Sequence, residues 1–176
     1  SSDVCSSDLL NTETVAADIL AWSETFVEVP HPDLGGWAPC PYARKARLER
    51  DFEVKLGKDP YWDAADASIN GLPKSVVIYV YDATVWSHME FEYKLNQANE
   101  HWLLPHDLLA LEDHPADKEM VNGVCMNQGT YALMLVQNLT DLNEKARLVA
   151  KQGFYDSWPA AYLEALFKHR KDLRAT

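Results

Sequence analysis

The chain has 176 residues, 47% of them hydrophobic and 11% aromatic, enough for one domain with a sizeable core and too few for a second. Its formal net charge of −11 argues against nucleic acid as the main partner and against anionic membrane surfaces, because both are bound through clustered Lys and Arg. No apolar run approaches the roughly 20 residues of a membrane span.

The opening SSDVCSSDL, residues 1–9, resembles the translated read-through of a sequencing adapter. The expectation is a foreign leader followed by a single α+β domain over residues 10–176. Without Cys5, two cysteines remain, Cys40 and Cys125. Two are too few for a disulfide framework, so a reducing cytoplasm is the expected compartment.

In chain order, Val15, Ile19, Trp22 and Phe26 recur at helical spacing and predict an amphipathic helix. A loop with four prolines and a Gly pair follows, then a short helix from Pro41 to about Arg50. FEVKL alternates and reads as a strand with one wet face. Asp59 and Pro60 open the next helix as cap and first residue. SVVIYVY, residues 75–81, is apolar throughout and predicts a strand covered on both faces. Ser87 and Glu90 form a capping box for a helix to about Trp102. DLLALE predicts a third strand, and TYALMLVQ a fourth after an irregular stretch. Thr140 is placed as the cap of a helix that Gly153 closes, and a last helix starts near Ser157. Helix-separated strands plus one loop-connected pair indicate a four-stranded α+β sandwich, ferredoxin-like in layout, with a thioredoxin-like layout as the alternative.

The candidate chemistry starts at GGWAPCPYARKARLER. With Pro41 in a first helical turn, Cys40 becomes the N-cap, its sulfur near the free N–H groups of Tyr42 and Ala43. Both donors and Arg44 favour thiolate. Arg44 and Lys45 near a helix N-terminus break the usual charge preference, which suggests a bound anion or a retained thiolate. On this reading Tyr42, Arg44, Lys45 and Asp113 bind ligand. The plainer alternative is a small buried Cys40 beside a solvated cationic face.

CPYARKARL resembles the active-site box of glutaredoxins and glutathione S-transferases, where Cys-Pro-Tyr opens a helix beside glutathione. No second Cys follows, which removes dithiol chemistry, and no strand is predicted before the box. The wider resemblance is to a bacterial domain-of-unknown-function family with a Leu-Cys-Pro-Phe-Ala-Lys box. PCPYARK, SVVIYVYD, FEYKLNQANEHW, LALEDHP and MNQGTYALMLVQ match its boxes in order over most of residues 12–145. The resemblance implies a fold and a meeting of boxes, and no reaction.

If those boxes meet, His114 is the natural base for Cys40, and Asn127 orients the imidazole, as in Cys-His-Asn sites. The alternative is that His114 caps a strand end. A metal set of Cys40, Asp113, His114 and Cys125 lacks the close ligand pairs of zinc motifs, so no metal is assigned. No dinucleotide, P-loop or hydrolase signature appears, and no cofactor is named. Two functions follow as expectations: a thiol-dependent enzyme acting on a small anionic substrate, or a non-catalytic module that binds a small anion or a protein.

Overall fold

The structure is a computed structural model that describes residues 10–170; residues 1–9, where the foreign leader is expected, lie outside the described residues. It is an α+β architecture. Six α-helices accompany a mixed four-stranded sheet among the described residues.

The strands are β1 (Phe52–Leu56), β2 (Val76–Tyr81), β3 (Leu108–Asp113) and β6 (Ala132–Asn138), in the order β1-β2-β6-β3. β1 and β2 run parallel, joined by helix α3 (Pro60–Asn70), while β6 is antiparallel to both β2 and β3. β2 is buried along nearly its whole length, as its unbroken apolar run predicts. The short strands β4 (Met120–Val121) and β5 (Val124–Cys125) form a separate hairpin inside the stretch expected to be irregular. Its turn is Asn122-Gly123, both at positive φ, which is the commonest chemistry for a two-residue hairpin turn.

Strand alternation sends two residue sets to opposite faces. Val77, Tyr79, Tyr81, Met134 and Ala110 face α3 and α4 (His88–Ala98), where Phe91 and Leu95 complete a core. Ile78, Val80 and Leu133 face α1 (Thr12–Trp22) through Val15 and Ile19. Further along this second face, toward β3, lies α5 (Leu139–Ala150); α6 (Ala160–Leu166) lies beyond it. A third apolar cluster, including Leu34, Val121, Val124, Val149, Phe154 and Trp158, ties the hairpin to the C-terminal segments. Fully burying each such side chain contributes roughly 1.5–3 kcal/mol.

Several caps match the sequence. Asp59 Oδ1 accepts from Tyr61 N at 2.9 Å, and the Ser87–Glu90 capping box forms. Two caps differ. Asn138, not Thr140, caps α5, accepting from Asp141 N at 2.8 Å, while the Thr140 hydroxyl donates to Asp107. Helix α2 (Ala43–Leu48) has only six residues and is preceded by Tyr42, so Cys40 is not its N-cap. Pro41 instead sits in a turn closed by Ala43 N bonding Cys40 O at 3.2 Å.

Candidate functional site

The Cys40 turn is anchored by its own backbone, with Cys40 N donating to Val27 O at 3.1 Å. Arg47 of α2 clamps the turn before it: Nε and Nη2 reach Glu28 Oε1 and Oε2 at 2.7 and 2.9 Å. Cys40 is open to solvent and borders two cavities. One, of about 120 Å³, is apolar and lined by Trp22, Val27, Phe52, Ile78 and Leu135 among others. The second, of about 200 Å³, lies between the turn, α5 and the C-terminal segments.

This second cleft collects Tyr42, Phe154, Tyr155, Trp158 and Tyr162 with two cations, Lys145 and Arg170. The Tyr42 hydroxyl donates to Lys145 O at 3.1 Å, and the Lys145 ammonium lies 5.8 Å from the Tyr42 ring centroid. Arg170 is only 3% exposed. Its guanidinium donates to neutral acceptors, Asn143 Oδ1 at 2.8 Å and Leu142 O at 3.3 Å, and it has no carboxylate partner among the described residues. Burial pushes its pKa down, partly offset by Tyr155.

The thiol of Cys40 is crowded by protein although solvent reaches the residue. Burial pushes its pKa up, against the opposing pull of the Tyr42 and Ala43 N–H groups and Lys145. Solvent access moderates that penalty, but the net direction runs against a thiolate at neutral pH. The expectation of a depressed thiol pKa is therefore corrected: the donors are present, and desolvation outweighs them.

The structure brings together only part of the predicted site. Cys40 and Tyr42 share the cleft. Arg44 and Lys45 do not line it; Lys45 lies 3.9 Å from Glu49, and the charge of Arg44 acts on Glu28. The cations that line the cleft are Lys145 and Arg170 instead.

His114 is on the other side of the sheet from Cys40. Its ring is 1% exposed and packs on His88 and Phe91 of α4, with Nε2 bonded to Trp86 O at 2.8 Å and Nδ1 accepting from Ala116 N at 3.1 Å. With both nitrogens occupied, it is a strand-end cap and cannot serve Cys40 as base. Asn127 does not orient that imidazole. Its side-chain amide donates to Asp117 O at 3.2 Å, and its main-chain carbonyl accepts from Cys125 Sγ at 3.4 Å. Asp113 is buried, and desolvation with Glu119, Glu112 and Asp117 pushes its pKa up to about 7. It does not line the cleft.

Lys145 and Arg170 were not legible as site residues, because Lys145 sits at an ordinary polar position of α5 and Arg170 in a cationic run past the end of α6. The aromatic density of FYDSWPAAY was the available signal. Comparison with family models, curated proteins and solved structures gives no match to the chain.

Proposed function

We propose that the protein is a binding module for a small anion with an apolar, ring-sized body, held in the cleft beside Cys40. The observation that carries this reading is Arg170, a buried cation without a carboxylate partner among the described residues, lining a cleft that Lys145 also lines. A buried charge is costly unless paired, and an incoming carboxylate or phosphate would pair it. The cleft wall is otherwise mostly aromatic and aliphatic, which suits an apolar body attached to that charge.

Calorimetric titration with benzoate, phenylacetate and inorganic phosphate tests it. Binding of at least one of the aromatic carboxylates is expected, with an affinity loss of tenfold or more in Lys145→Ala. Cys40→Ser and Arg44→Ala should bind like the unmodified chain. No heat with any of the three anions, or equal affinity in Lys145→Ala, would sink the reading.

The thiol-enzyme reading keeps one supporting feature, the backbone N–H groups of Tyr42 and Ala43, which pull the Cys40 thiol pKa down against its burial. It has no general base from His114. Any thiol chemistry here would draw on Lys145 as the nearby cation.

A further inference from the structure

We propose that His88, Glu112 and Asp117 form a binding site for one divalent metal ion, on the α4 side of β3. His88 is the first residue of α4, directly after its N-cap Ser87. Glu112 projects from β3 toward α4, and Asp117 follows in a turn whose N–H bonds His114 O at 2.9 Å. His88 Nε2 lies 3.1 Å from Glu112 Oε1 and 3.7 Å from Asp117 Oδ2. One ligand atom from each residue falls within 4.8 Å of the others. Nitrogen and oxygen ligands held about 2.1 Å from a tetrahedral metal stand roughly 3.4 Å apart, close to the separations seen here.

Four further features separate this cluster from an ordinary ion pair. A single imidazole nitrogen faces two carboxylates, and one N–H cannot satisfy both at full strength. The other Glu112 oxygen, Oε2, is shielded from solvent and has no hydrogen-bond donor. Asp113, next in sequence and 6% exposed, also has an oxygen, Oδ1, that no donor meets among the described residues. No Lys or Arg ion-pairs with Glu112 or Asp117 among the described residues. A divalent ion supplies the missing positive charge.

The turn is also braced as a ligand-bearing turn would be. Asn127 donates to Asp117 O, and His114 accepts from Ala116 N, holding the segment from both sides of Asp117. Glu112 and Asp117 line a cavity of about 460 Å³, which gives an ion entry and leaves coordination positions for water or a ligand. One imidazole and two carboxylates, with no thiolate, suit Mn²⁺ or Zn²⁺ over softer ions.

The full chain, stripped with a chelator and dialysed, would be titrated with Mn²⁺ by electron paramagnetic resonance and with Zn²⁺ by calorimetry. One equivalent is expected. Glu112→Gln and Asp117→Asn should each weaken it tenfold or more while retaining the circular dichroism of the parent. Glu144→Gln, on the exposed side of α5, should leave it unchanged. A parent chain that takes up neither ion stoichiometrically overturns the site, as does parent-strength binding in the Glu112→Gln, Asp117→Asn double variant.

Discussion

Glu28 shows how a single side chain holds the Cys40 turn. Its carboxylate, 5% exposed, takes both arms of the Arg47 fork and a hydrogen bond from Ser23 Oγ at 2.7 Å. The Arg47 bonds hold its pKa below the ordinary 4.5. A carboxylate depressed in the folded state contributes stability above its unfolded pKa and loses it as pH falls. Acid unfolding should therefore steepen below about pH 4.5, and Glu28→Gln should flatten that limb in a pH series of urea melts. Cys40 has the opposite balance. Its iodoacetamide labelling should reach half-maximum above the free-thiol value of about 8.5, and a midpoint below that value would restore the thiolate reading. Gly57 is a packing glycine: a Cβ built there falls inside the ring of Tyr81, which is 1% exposed and bonded through its hydroxyl to Asp63. Gly57→Ala should cost about 1–3 kcal/mol in denaturant melts, since backbone and buried ring must both shift.

At the scale of elements, the open edge of β3 is closed by a side chain. Asn99, 2% exposed, accepts from Ala110 N at 2.8 Å and donates to Ala110 O at 3.0 Å, so its amide stands where a neighbouring strand would. Asn99→Ala strips both partners from a buried backbone and should cost about 2–4 kcal/mol by urea titration. A loss under 0.5 kcal/mol would show that water replaces the amide. Much of this scale was legible beforehand. β2 and β6 announced themselves as apolar runs, and Asp59-Pro60 and Ser87-x-x-Glu90 marked helix starts through local chemistry. The β4–β5 hairpin was missed although Asn122-Gly123 signals such a turn, because strands of two residues show no alternation. The sites were less legible. Cys40 with Tyr42 was found from a local motif, whereas Arg170 and the His88–Glu112–Asp117 group exist only through packing between segments 24 or more residues apart.

At the scale of the whole molecule, the sheet is a partition. The cleft beside Cys40 lies on the α1 and α5 side, and His114 on the α4 side. His114→Gln should then lower stability by roughly 1–3 kcal/mol, through two disturbed buried hydrogen bonds. It should leave the labelling midpoint of Cys40 where it was, and a moved midpoint would contradict the partition. One small clasp holds distant parts of the molecule together. The Asn122 amide nitrogen donates to Asp33 O at 3.1 Å and Ser157 O at 2.6 Å, joining an N-terminal loop to a C-terminal one. Its successor is Gly123, whose unhindered backbone nitrogen is the kind that closes onto an asparagine carbonyl with loss of ammonia. Water then opens that ring to an acidic side chain, replacing a donor with an anion facing two carbonyls, so the clasp would carry a slow chemical clock beside Trp158 of the cleft wall.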